Sequence, residues 1–361
     1  MSTSSRTRGV SAVIALSLAA TLSACGSSSS GTKTGGSPST GVDRPSVGIG
    51  YFQGAVSGPE SILAADTALS SKITGDLKLT PINSGVAGLA ELRGGSFPFV
   101  SGVGNPPVVG SITNGTKIKV VYAEYLDAAE LVVGPDIKTN ADLAGKKIAD
   151  LTGSSEDFEI RGWLKTQKLD DKVKVVGFAS EAAAAAAYKS GAVAGSYVEL
   201  DQAIDLISKG GRKVVDAQEI AQLGYPSLNV LAVTDDFASK HKAVVQQLVC
   251  QAIKAEAIVT QPGTASDPYI EKAAALDGAK VDLAKIATKL IPWIKAEDEL
   301  SWFHDANGSV AEGKIAKAYA LTGQFLLEQG RVTKVPTADQ ISAALDSSYV
   351  EKALAEKCGT L

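Results

Sequence analysis

Leu126-Asp127-Ala128-Ala129-Glu130-Leu131-Val132-Val133-Gly134-Pro135 closes one run of alternating apolar strands and helices. Leu143-Ala144-Gly145-Lys146-Lys147-Ile148-Ala149 opens a second run of the same kind. Upstream, short apolar stretches predict strands over 47–51, 77–82, 99–103, 117–124 and 131–133. Helices are expected over 59–69, with Pro59 in the first turn, over 86–92 and from Pro106 onward. Downstream the rhythm repeats: helix 156–169, strand 173–178, helix 180–190, strand 195–198, helix 200–209, strand 228–233. The alanine run after Glu181 reads as a plain helix, since alanine is the best helix former. From residue 235 the chain is largely helical, interrupted at Pro262, Pro268, Pro292 and Pro336. Two α/β lobes follow, each a mostly parallel sheet covered by helices. The expected first lobe is 46–133 plus 234–361, with the helical last third packed back onto it. The second is 134–233. Crossovers near Gly134-Pro135 and Val233-Thr234 would serve as a hinge. Open α/β sheets take ligands beyond the carboxyl ends of their strands, which here means the cleft between the lobes.

The N-terminus carries a different message. Arg6 and Arg8 precede an apolar stretch from Val10 to Ala20, then Leu22-Ser23-Ala24-Cys25. As a helix, residues 9–24 would reach ~24 Å, short of the ~30 Å of bilayer hydrocarbon. The segment reads as a signal peptide, residues 1–24. Its end resembles the bacterial lipobox, whose cysteine becomes a diacylated N-terminus; the alternative is a leader cut elsewhere with Cys25 incidental. Residues 25–45, rich in serine and glycine, read as a flexible tether. The expected location is the outer face of the cell membrane, held by lipid on Cys25. In an oxidising compartment Cys250 and Cys358 could pair and fasten the tail, or remain two buried thiols.

The chain of 361 residues has room for two cores, and at 45% hydrophobic and 20% charged residues it has the composition of a globular protein. No basic run stands out, so no nucleic-acid partner is expected. His241 and His304 are the two histidines of the chain, too few for histidine triads or histidine metal sites. No metal and no cofactor is expected. Gly48-Ile49-Gly50 lacks the third glycine of a dinucleotide loop, and no phosphate loop is present.

Polar residues at strand ends are the better candidates. Gln53 to Ser57 follow the first strand, Gly104-Asn105 precede a helix, and Thr152-Gly153-Ser154-Ser155 precede another. Each loop feeds a helix N-terminus, where free N–H groups attract an anion, or where a residue simply caps its own helix. Glu130 at one strand start and Glu199 at one strand end could each hold an ammonium or lie solvated at an edge.

These residues together resemble the substrate-binding proteins of ABC importers for nitrate, sulfonates and taurine, and taurine-binding proteins in particular. The resemblance runs from about residue 47 to 350. It is carried by Leu126 to Val133, Asp142-Leu143 before Gly145-Lys146-Lys147-Ile148-Ala149, Gly195-Ser196-Tyr197-Val198, Gly224-Tyr225-Pro226-Ser227-Leu228-Asn229-Val230, Asp236 to His241 and Gln324 to Gly330. It implies a type II periplasmic-binding-protein fold that closes by hinge bending. It also implies capture without chemistry, a monomer, and a membrane permease with its ATPase as partners. By carry-over, Gly104, Asn105, Ser154 and Ser155 would hold a sulfonate and Glu130 an ammonium. This chain departs from that pattern in three places. Asn229 stands where an acid is expected and Glu199 where an aromatic is expected. Glu156 and Asp157 occupy a first turn, where they suit the helix dipole but would repel a sulfonate. With Asp127 nearby, the acidic set makes a more cationic solute the alternative to taurine. Others are another sulfonate, a heterocyclic vitamin precursor, and a hydrolase or biosynthetic enzyme of the same fold.

Overall fold

Residues 45–54 and 58–361 are described by a computed structural model. Cys25, the leader, the tether and Ser57 lie outside the described residues. The first sheet contains β1 (Val47–Tyr51), β2 (Leu77–Pro81), β3 (Phe99–Val103) and β4 (Ile118–Leu126). The second is built from β5 (Glu130–Val133), β6 (Lys147–Leu151), β7 (Lys174–Phe178), β8 (Gly195–Val198) and β9 (Arg212–Asp216). The last strand, β10 (Leu228–Thr234), returns to the first sheet. The strand orders are β2-β1-β3-β10-β4 and β7-β6-β8-β5-β9.

The two orders are the same pattern. In each sheet one strand runs against the others: β10 is antiparallel to β3 and β4, and β5 to β8 and β9. The reason is geometric. The chain leaves the first lobe at the carboxyl end of β4, which faces the other lobe. It therefore starts the second lobe at that same edge and must run away from it. The return from β9 to β10 repeats the move in reverse.

This pairing corrects the expected boundaries. Glu130–Val133 was expected to end the first lobe but pairs with β8 and β9 in the second. β10 was expected to end the second lobe but pairs in the first, as Leu228↔Leu126 through Thr234↔Ile118. The crossings are therefore Asp127-Ala128-Ala129 and the segment that follows β9, with its short helix Ala217–Gln222. Both strands are apolar and buried on both faces, so hydrophobicity alone could not say which sheet they join. The two crossings run side by side, tied by Asp127 N–H donating to the Ser227 carbonyl at 3.1 Å. Asn105 fastens the second one. Its amide donates to the Pro226 carbonyl at 3.0 Å and accepts from Leu228 N–H at 3.3 Å.

The helical last third packs on the first sheet as expected, with Val245, Ile253, Ile315, Tyr319 and Val350 in one core with Ile49, Phe99 and Val230. In the second lobe, alternate side chains of β5 go to opposite faces. Leu131 and Val133 join Ile148, Ile160 and Trp163, whereas Val132 joins Ala149, Ala184 and Leu206. The helix Glu181–Lys189 can lie close to the sheet because Ala184, Ala185 and Ala187 form its buried face.

Beyond the crossings, contacts on two flanks also join the lobes. Phe158, on the helix Ser155–Thr166 of the second lobe, is buried in the core of the first, edge-to-face with Tyr225 at 5.6 Å and Phe325 at 5.3 Å. Beside it Arg331 bonds the buried Asp157, and Lys165 pairs with Glu328 at 2.7 Å. On the other flank Leu200 packs with Ala128, Ala287 and the half-buried Ile204.

Cys250 and Cys358 are bridged, with Cα atoms 5.2 Å apart across 108 residues of sequence. The bridge ties the helix Lys242–Val259 to the end of the chain after Ser348–Ala355. A ring of this size removes unfolded-state entropy, and such bridges typically contribute about 2–4 kcal/mol. The Cys250→Ala/Cys358→Ala variant is therefore expected to melt several degrees lower than the oxidised protein and to lose all response to reductant. Identical melting of the parent and the variant would show that the bridge contributes nothing.

Candidate functional site

The carboxyl ends of strands from both lobes converge on one cavity of about 260 Å³. From the first lobe come Phe52 and Gln53 after β1, Asn83 after β2, Gly102 and Gly104 at β3, Tyr125 on β4 and Asn229 on β10. From the second come Ser154, Ser155 and Glu156 after β6, Glu181 after β7, and Glu199, Asp201 and Gln202 after β8. Ala287 and Ile291 close one side. A larger open depression of about 820 Å³, around Gly134, Lys146, Lys189 and Lys209, lies by the amino ends of β6 and β8. That end of an α/β sheet lacks converging loops and helix N-termini, so the cleft is the site.

Gly104 faces Ser155 across the lobes. A Cβ on Gly104 would fall 1.8 Å from Ser155 Oγ, so a side chain here would have to turn that hydroxyl aside. Ser155 Oγ in turn accepts from Ser227 Oγ at 2.8 Å. Ser154 caps the helix Ser155–Thr166, its hydroxyl accepting from Asp157 N–H at 3.3 Å and donating to the Leu151 carbonyl at 2.7 Å.

Glu156, Glu181, Glu199 and Asp201 all line the cavity, and among the described residues no lysine, arginine or histidine does. Burial pushes the Glu156 carboxyl up to about 7; Asp127 adds to this, while the Ser154 hydroxyl and Glu156's own backbone N–H oppose it. Burial, then the neighbouring Glu156, pushes Glu181 up. Burial raises Glu199, helped by Asp127, Glu156 and Glu181. Glu181 also accepts the Glu199 N–H at 3.1 Å, tying it to the start of the helix Leu200–Ser208. On the opposite wall the amide nitrogen of Asn229 is buried, faces the cavity and has no hydrogen-bond partner in the protein.

Behind Gly102 lies a second set of acids. Ser101 Oγ contacts Glu60 Oε2 at 2.7 Å and Glu124 Oε1 at 2.5 Å, and Gly102 N–H donates to Glu124 Oε2 at 2.8 Å. A serine hydroxyl has one hydrogen, so holding both carboxyls at once requires a proton on one of them. Burial accordingly raises Glu60 to about 7. Burial and then the charge of Glu60 raise Glu124 to about 8.

Of the residues singled out from sequence, Gln53, Gly104, Ser154, Ser155, Glu199 and Asn229 come together in the cavity. Ser57 and Cys25 lie outside the described residues. Two are placed elsewhere. Asn105 is fully buried and spends its amide on Pro226 and Leu228, so it holds the crossing rather than a ligand. Glu130 is half-buried on β5, where its carboxylate pairs with Lys213 at 3.5 Å, and it does not line the cavity. Asp157 is likewise committed: burial would raise it, but Arg161 and Arg331 outweigh that and hold it below the usual range. Glu181 and Asp201 escaped the sequence reading, although each follows a strand end and opens a helix as the chosen residues do.

The profile of the NMT1-like family matches residues 41–269. The taurine-binding periplasmic protein of Escherichia coli (strain K12) is 28% identical over 307 residues, covering 81% of this chain and 89% of its own. The periplasmic aliphatic sulphonate binding protein of Escherichia coli superimposes with a TM-score of 0.65 at 20% identity, covering 82% of this chain and 91% of its own. The alkanesulfonate-binding protein of Xanthomonas axonopodis pv. citri, solved bound to MOPS, gives 0.65 at 19% identity, covering 85% and 100%. The architecture is thus the two-lobe periplasmic-binding-protein fold.

The raised carboxyls set the direction of pH dependence. Unfolded glutamates titrate near 4.3. Between there and pH 7–8 the folded chain holds more protons on Glu60, Glu124 and Glu156 than the unfolded chain does. Folding stability therefore falls as pH rises through that window. Asp157 acts oppositely, but its contribution is lost only at acidic pH, below the usual carboxylate range. Thermal melts are expected to give a higher Tm near about pH 5 than near about pH 8. Glu124→Gln, which supplies an N–H in place of the shared proton, should flatten the slope; a parent Tm that rises over that range would contradict the shared proton.

Proposed function

The chain belongs to the NMT1-like family, and from that premise we propose that it is the extracytoplasmic solute-binding protein of an ABC importer. It captures a small polar solute between its lobes and hands it unchanged to a permease driven by an ATPase subunit. The observation that carries this reading is the cavity itself: small, and formed by strand ends of both lobes, which two adjacent chain crossings join. Its volume of about 260 Å³ suits a metabolite rather than a drug-sized ligand. The name of the E. coli relative supports taurine, or a related small sulfonate or zwitterion, as cargo. A specific observation favours a second reading, a different small solute such as an amine: the acidic residues lining the cavity face no basic residue there. The leader ending in Leu22-Ser23-Ala24-Cys25 supports export and a lipid anchor on Cys25. The Cys250–Cys358 bridge agrees with an oxidising location. Among the described residues no helix is long and apolar enough to cross a membrane.

Calorimetric titration of the purified protein with taurine and with simple amines is expected to give saturable one-to-one binding for one of them, with the solute recovered unchanged. A product accumulating on prolonged incubation would overturn the transport reading. For the anchor, cells fed labelled palmitate should label the parent and not the Cys25→Ser variant. Equal labelling of both would place any lipid elsewhere.

A further inference from the structure

Three helices of the second lobe present their N-termini toward the cleft: Ser155–Thr166, Glu181–Lys189 and Leu200–Ser208. Helix N-termini are anion sites because their first N–H groups lack partners within the helix. In this chain those positions already carry carboxyl groups of its own. Glu156 sits in the first turn of Ser155–Thr166, buried, against the Ser154 hydroxyl and its own N–H. Glu181 opens the second helix, and its carboxylate takes the Glu199 N–H at the start of the third. A sulfonate arriving here would meet carboxyl groups at all three helix starts.

Among the described residues, the lining of this cavity holds no positive charge. Glu156, Glu181, Glu199 and Asp201 line it without a basic partner, and a buried carboxylate is costly unless paired. The opposite wall is neutral: Phe52 and Tyr125 offer aromatic surface, and Asn83 and Asn229 offer amides. Two unpartnered buried atoms among the lining residues are independent signs of a ligand: Asn229 Nδ2 calls for an acceptor and Glu181 Oε1 for a donor. A cation bearing several N–H donors would satisfy the carboxyls, and aromatic faces also favour cations. Resting on the solute-capture reading above, we infer that the cargo is a small organic cation with N–H donors on its charged group, an ammonium or guanidinium compound. In this site Glu156 takes the place that a cargo sulfonate would need.

The test is calorimetric titration of the intact protein with propylamine, agmatine, taurine and ethanesulfonate. Propylamine or agmatine is expected to bind one-to-one at least tenfold more tightly than taurine, with ethanesulfonate weakest. Taurine or ethanesulfonate binding more tightly than both cations, or no binding of either cation, would overturn the inference. A sulfonate bound more tightly than both cations and recovered unchanged would sink this inference while leaving solute capture standing. A cation bound and converted to product would do the reverse. Glu156→Ser vacates the helix start and is expected to strengthen ethanesulfonate binding at least tenfold. Should that variant fail to fold, Glu181→Gln is expected to weaken cation binding at least tenfold, with Glu181→Asp partly restoring it. Cation affinity unchanged in Glu181→Gln would also overturn the proposal.

Discussion

The chain crosses between its lobes twice, and everything else in the architecture follows from where those crossings sit. Asp127-Ala128-Ala129 and the segment ending at Ser227 lie side by side, hydrogen-bonded to each other at the edge where the strand ends meet. Because both crossings are made at that edge, each sheet receives one strand running backward, and the remaining strands all point their carboxyl ends into the same space. The loops that leave those ends start helices, so helix N-termini from both lobes surround the cavity. Asn105 and Gly104, adjacent in sequence, secure this geometry from the first lobe: one ties the returning crossing, the other lets Ser155 approach.

The electrostatics of that cavity are lopsided. The second lobe supplies carboxyl groups and the first supplies neutral amides and aromatic rings. Burial keeps several of these acids protonated well above their ordinary range, which is how an unpaired cluster is tolerated in the folded chain. The same device recurs behind Gly102, where Ser101 bridges Glu60 and Glu124. A protein that holds protons in place of counter-ions stays intact while empty and leaves room for a positively charged guest to displace them.

Much of this was legible in the sequence, and the failures are instructive. The apolar runs located most strands, and the rule that strand ends make sites found Gln53, Gly104, Ser154, Ser155 and Glu199, while Asn229 came from the family resemblance. The sheet membership of β5 and β10 was hidden because a strand buried on both faces carries no mark of its neighbours; only pairing decides it. β9 was missed because Arg212–Asp216 is short and charged at both ends. Glu130 looked right because it starts a strand at a crossing, but Lys213 on the adjacent strand claims its carboxylate, a pairing that linear spacing does not reveal. Glu181 was passed over because the alanines after it read as an unremarked helix, which drew attention away from its first residue.

The contacts that flank the cleft are unequal. On one side Phe158 is sunk in the opposite lobe's core and Asp157 is held by Arg331, so parting them would expose an aromatic ring and strand a buried charge. On the other side Leu200 merely rests on Ala287 and Ala128, a small dry contact that costs little to separate. The lobes are thus jambed on one edge and latched lightly on the other. Parting the lobes would therefore cost more at Phe158 than at Leu200.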